Sequence, residues 1–156
     1  MKHLKATYLT GFLIFLLSSF LYAGTQTTIN DFLGLWSIEN NESIIQIYKI
    51  ENGTFEGKLV WVDQEIRNED EGLTDFKNPN PQLRNQKLIG LIIAKGFTHS
   101  GDELIGGTIY DPHTGKTYKA KMTLENKDLL RMRGYIGIPL FGETREWTRC
   151  TSIPKD

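Results

Sequence analysis

TYKAKMTLENKDLLRMRGYI, residues 117–136, alternates apolar and polar side chains on both sides of a short polar break. Tyr118, Ala120, Met122 and Leu124 alternate with Thr117, Lys119, Lys121 and Thr123, and beyond the break Leu130, Met132 and Ile136 stand opposite Arg131, Arg133 and Tyr135. A period of two sends one set to a buried face and the other to solvent, which is the pattern of half-buried strands and not of a helix. Asn126-Lys127-Asp128 is short and polar, so the two strands read as a hairpin.

The same grammar extends in both directions. Upstream, Glu103 to Tyr110 alternates loosely around Gly106-Gly107, a pair that predicts a bulge or sharp bend, and Asp111-Pro112-His113-Thr114-Gly115 is a turn. Downstream, Gly137 to Gly142 reads as a loop and Thr144 to Thr151 as the last strand. Near the start, Thr25 to Phe32 allows a single helical turn capped by Thr28 or Asn30, and Gly34-Leu35-Trp36 opens the first strand. Ser43 to Glu51 is rich in β-branched residues. Glu51-Asn52-Gly53 then predicts a tight hairpin with positive φ at both central positions. Thr54 to Val62 returns with Phe55, Leu59 and Trp61 alternating against Glu56, Lys58 and Val60.

One stretch departs from this pattern: DFKNPNPQLRNQKLIGLIIAKG, Asp75 to Gly96, spends about a dozen residues on two Asn-Pro steps and an Arg before pairing resumes at Lys87 or Leu88. Leu88 to Phe97 then reads as a strand apolar enough to be buried on both faces, turned by His99-Ser100-Gly101-Asp102. The whole is all-β, an antiparallel meander of about eight strands. Closing into a barrel hides the edges of such a meander most economically, with a two-sheet sandwich as the competitor that period alone does not separate.

The chain has 156 residues and a formal net charge of −1. Lys2, His3 and Lys5, the apolar run Tyr8 to Leu17 and the small residue Ala23 follow the order of a secretory signal peptide, with cleavage expected between Ala23 and Gly24. An apolar run of about a dozen residues is short of the roughly 20 that a spanning helix needs, so no stable membrane insertion is expected after cleavage. Residues 24–156 then form a single domain of 156 − 23 = 133 residues with net charge −1 − 2 = −3, since Lys2 and Lys5 are removed. The expected location is the periplasm or the medium, and the expected state a monomer. The lone Cys150 makes no internal disulfide, and the scattered Lys and Arg residues exclude the concentrated basic face of a nucleic-acid binder.

GLW at 34–36, GKLVW at 57–61, NPxPxLRN at 78–85, LIGL at 88–91, GGTIYDPxTGKTY at 106–118, RGYIGIPLFG at 133–142 and WTR at 147–149 together resemble the bacterial secreted family catalogued as domain of unknown function 2147. The resemblance implies a secreted, calycin-like barrel, and it implies no reaction. Within it, Gly34-x-Trp36 with a late Arg149 is similar to the lipocalin and calycin pattern, in which Arg149 covers Trp36 at the barrel floor.

Candidate site residues follow from the same reading. Arg84, stiffened by Pro79 and Pro81, is either a fork for a carboxylate or phosphate at the barrel mouth or a donor to carbonyls of its own loop. Asn78, Pro79 and Asp75 read as turn residues. Trp61 and Trp147 are core rings or pocket lining, and Tyr135 shares with Arg131 and Arg133 a face that turns inward only if the cavity is polar. Asp63, Glu65, Glu69, Asp70, Glu71 and Asp75, balanced by Arg67, form a solvated acidic loop, since Gly72 stands where an EF-hand requires an acid. His99 and His113 lie in turns without a nucleophile motif, and Cys150 reads as a small buried hydrophobe. No catalytic residue, metal ligand or cofactor is therefore expected. The function expected is binding of a small apolar or amphipathic ligand, by apolar walls at 55–61 and 88–97 and a cationic mouth at Arg84. An envelope protein-interaction module without a cavity is the alternative, and a hydrolase ranks below both.

Overall fold

A computed structural model describes residues 28–38, 41–63 and 73–155. The expected signal segment 1–23 and acidic residues 65–71 lie outside them. Eight strands follow one another: β1 (Gly34–Ile38), β2 (Ser43–Lys49), β3 (Phe55–Val62), β4 (Ile92–Ser100), β5 (Glu103–Asp111), β6 (Lys116–Asn126), β7 (Leu129–Tyr135) and β8 (Glu143–Cys150). Each pairs antiparallel with the next, and β8 returns to β1 with Trp36 opposite Arg149, so the sheet is a closed barrel. This pairing rules out the sandwich, which would leave β1 and β8 as edges.

Alternation sets the inside. Phe55 and Leu59 on β3, Leu104 on β5, Ala120, Met122 and Leu124 on β6, and Leu130 and Met132 on β7 are buried in one core with Trp36 and Trp147. The core fills tightly at mid-height because two glycines make room for larger neighbours. A Cβ on Gly107 would lie 2.4 Å from the Phe97 ring, and one on Gly57 2.5 Å from Ile45 Cδ1. The expected bulge falls at Gly106, which has φ +77, where the β5–β6 register shifts between Leu104 and Gly107.

Three local expectations are corrected. At the β2–β3 turn only Gly53 takes positive φ, because Asn52 Oδ1 accepts from the Thr54 amide at 2.9 Å and from its hydroxyl at 2.8 Å, holding Asn52 in an ordinary conformation. The strand expected from Leu88 begins at Ile92: Gly90, at φ +92, closes a turn in which the Leu91 amide donates to Leu88 O. Its outer face is not buried, since Lys95 and Gly96 are exposed. On β3, Ile44 lies opposite Trp61 and Ile45 opposite Leu59, so Val60 is an extra residue. That bulge breaks the alternation and takes Trp61 off the face of Phe55 and Leu59.

The two ends of the barrel differ. At one end the 3-10 turn Ile29–Phe32 forms a plug, opened by Thr28, whose amide and hydroxyl both donate to Asp31 Oδ2 at 2.7 and 2.9 Å. These donors hold the Asp31 carboxyl below its usual range. Phe32 and Trp36 are fully buried there, and the indole Nε1 donates to Phe32 O at 2.9 Å. Arg149 lies over the Trp36 ring, 4.2 Å from its centroid, and donates to Leu33 O at 3.0 Å and to the carbonyls of Asp31 and Lys127. One guanidinium thus ties the plug, β8 and the β6–β7 turn together. The other end carries the long β3–β4 connection, the β5–β6 turn and the β7–β8 loop, and it stays open.

Candidate functional site

Antiparallel order brings the last residues of β1, β3, β5 and β7 and the first residues of the even strands to that open end. Their side chains enclose a cavity of about 400 Å³. Its walls are apolar: Ile38, Leu59, Val62, Ile93, Ile109, Met132 and Trp147. Its rim is polar, with Tyr110, Asp111, His113, Tyr118, Tyr135, Glu143 and Arg145. Gly134 faces the same space, where a Cβ would make only ordinary contacts, 3.5 Å to Ile109 Cγ2 and 3.7 Å to Tyr118 Cβ. The void is therefore the part of the interior that β7 leaves unfilled.

The 73–88 connection frames the mouth and is more ordered than its composition implies. Thr74 bridges Lys87, the Asp75 amide donates to Gln86 O and the Leu88 amide to Leu73 O, so the stretch folds back on itself. Asp75 is fully buried and accepts from Tyr110 Oη at 2.7 Å and from Asn78 Nδ2 at 2.6 Å. Burial first, and then the Asp75 carboxylate, push the Tyr110 phenol up, keeping it a proton donor to that carboxylate. The β5–β6 turn closes against the same connection. Asp111 accepts from the His113 amide and the Thr114 hydroxyl, and Gly115, at φ +69, lies so close to Lys77 O that a Cβ would come within 2.1 Å of it. The connection at 75–78 and the motif at 106–118 thus meet in one contact, with Asp75 between Tyr110 and Asn78.

The structure places Trp147 on the cavity wall and Tyr135 at its rim. Trp61 and Arg84 are not part of it. Trp61 is displaced by the β3 bulge. Arg84 is exposed at the end of the 3-10 turn Pro81–Leu83, and its Nε donates to Asn78 O at 3.0 Å, which makes it a staple of its own connection. Asn78 also accepts from the Asn80 amide at 2.9 Å, with Pro79 exposed between them. Arg133 supports the β7–β8 loop by donating to Pro139 O, Leu140 O and Thr144 Oγ1, while Arg131 pairs with Glu125 and Glu146 on the outer surface.

Sequence reasoning missed Arg145, Glu143 and Gly134. The signal was present on β8: Trp147 and Arg149 share a face, and a period of two puts Glu143 and Arg145 on that face as well. Arg145 Nη2 lies 3.2 Å from Glu143 Oε1, with their side chains 53% and 75% exposed. Burial pushes the Cys150 thiol up, away from nucleophilic character. Among the described residues, no group of three or more His, Cys, Asp or Glu is placed to hold a metal ion.

Comparison with known proteins agrees with the architecture. The structure is similar to a solved one described as protein HP1028 from the human pathogen Helicobacter pylori, which belongs to the lipocalin family. The TM-score is 0.66 and the identity 23%, over 76% of this chain and 82% of that one. Among curated proteins none matches. The family described as "Uncharacterized protein conserved in bacteria (DUF2147)" matches residues 34–149, which span all eight strands. The chain belongs to that family, domain of unknown function 2147, and its fold is a lipocalin-like barrel.

Proposed function

We propose that the protein is an exported binding protein for a small amphipathic anion, such as a medium-chain fatty acid, and not an enzyme. The observation that carries this reading is the cavity: apolar walls ending in a rim where Arg145 supplies a guanidinium. Apolar walls take up a hydrocarbon chain by the ordinary hydrophobic term, about 0.8 kcal/mol per buried methylene. A guanidinium offers a planar fork that matches a carboxylate. A ligand carboxylate would compete with Glu143 for this exposed fork. At about 30 Å³ per non-hydrogen atom, a value borrowed from liquid water, the void holds roughly a dozen atoms. Decanoate is of that size, and longer chains would project from the open mouth. A sugar would find too few polar partners on these walls.

Against catalysis, the rim carboxylate of Asp111 is committed to its own turn, and the thiol of Cys150 lies outside the cavity. Export to the periplasm or medium is supported by the order of basic, apolar and small residues in 1–23, and a monomer by the absence of any unpaired strand edge in the barrel. Thermal unfolding with decanoate, decanol and a neutral hexose tests the reading. Decanoate at 100 times its Kd should add about 2.7 kcal/mol, a rise of roughly 5 to 10 °C for a domain of this size. Decanol should give less and the hexose nothing. An equal response to all three, or to none, removes the amphipathic anion.

A further inference from the structure

The β7–β8 loop is the least economical surface on the molecule. Ile136, Ile138, Leu140 and Phe141 are 72%, 53%, 75% and 77% exposed, whereas most other large apolar side chains among the described residues lie inside. The loop is not loose. Pro139–Phe141 forms a 3-10 turn, Arg133 holds the carbonyls of Pro139 and Leu140, and Gly142 packs so closely on Gly134 O that a Cβ would lie 2.6 Å away. Its apolar side chains are therefore presented outward by a fixed backbone and cannot fold back to cover themselves.

We propose that this loop is a membrane-docking surface that seats the barrel mouth on a bilayer containing anionic lipid. Two observations favour a bilayer over a protein. A bilayer needs no complementary patch, only apolar side chains that reach past the headgroups. The flanking rim carries more bases than acids: Lys116 and Lys119 on β6, Arg133 on β7 and Arg145 on β8, against Asp111 at the end of β5 and Glu143 on β8. The patch is also continuous with the cavity, since Ile136 and Phe141 line both.

Sedimentation with vesicles tests the proposal, using the chain from Gly24. This retains the closed barrel and removes the apolar run Tyr8 to Leu17, which would itself partition. Vesicles of phosphatidylcholine with about 30% phosphatidylglycerol should carry the protein down, and phosphatidylcholine alone should carry less. Ile138→Ser with Leu140→Ser, neither of which lines the cavity, should lower the partition coefficient at least about 10-fold while leaving the melting temperature and the decanoate response unchanged. A Leu140→Trp variant should shift its emission to the blue on the anionic vesicles. No sedimentation of the parent chain with either vesicle overturns the proposal, as does equal sedimentation of the serine variant. A dimer in sedimentation velocity that the serine variant abolishes would also overturn it, assigning the surface to a second copy. Decanoate binding is read separately and does not depend on any of these outcomes.

Discussion

Gly134→Leu should fill the cavity without disturbing the barrel. Gly134 lies on β7 between Ala120 and Glu143, outside the left-handed region, and a Cβ there meets Ile109 and Tyr118 at contact distance and not in collision. The added side chain therefore grows into the void. Its four carbons take the place of about four ligand methylenes, and at about 0.8 kcal/mol each the loss is roughly 3 kcal/mol, close to a 200-fold weaker Kd. Replacing glycine in a strand interior should leave stability equal or raise it by about 0.5 to 1 kcal/mol. Trp147 lines the cavity, whereas Trp36 lies under Arg149 and Trp61 off the cavity wall, so a fluorescence titration with decanoate reads the site through one indole. A Leu variant that melts as the parent does and binds decanoate equally well would refute the reasoning, because the ligand would have to sit elsewhere.

The remaining predictions concern the anchor, the floor, the latch and pH. Arg145→Gln should weaken decanoate about 5- to 10-fold, roughly 1 kcal/mol for a partly exposed charged contact, and leave decanol unchanged in the same titration. Trp36→Ala should cost about 3 to 5 kcal/mol, enough to unfold a marginal domain, whereas Arg149→Lys loses the stacked fork and should cost less; urea unfolding measures both. Asp75→Ala strands the Tyr110 hydroxyl and the Asn78 amide and should cost about 1 to 3 kcal/mol, seen first as faster proteolysis within 76–87. The Tyr48 phenol is pushed up to about 12 by burial and then by Glu56, and Tyr110 is raised by burial and then by Asp75. Because both folded values lie above the unfolded one, this contribution is complete below about pH 10 and is lost as the pH rises through them. Unfolding followed between pH 9 and 12 should show that decline, and Tyr110→Phe should reduce it.

The strands were legible because alternation leaves no choice of face once a core exists, and β6 carries it from Ala120 to Leu124, whereas closure was only the more economical of two arrangements that period does not separate. What escaped was local. A single extra residue at Val60 moved Trp61, and no glycine beside Val60 marks that bulge as Gly106 marks the one on β5. Leu88 and Leu91 are buried as a strand would bury them, yet Gly90 turns the chain between them, so apolar content alone overstated the length of β4. At the site, Arg84 attracted attention because it stands in an irregular stretch, but irregular backbone needs donors, and Asn78 O takes this one. Arg145 sits in a regular strand and was readable from phase: it lies two residues from Trp147 and four from Arg149, on one face.

On this proposal the open end of the barrel holds an amphipathic anion. Native mass spectrometry of protein purified from its host without detergent, followed by extraction and identification of any bound species, tests this most directly. The expected result is one adduct per chain, an amphipathic anion, in the parent and none in Gly134→Leu. Only the unliganded mass in both, unchanged when decanoate is added to the parent, would contradict it.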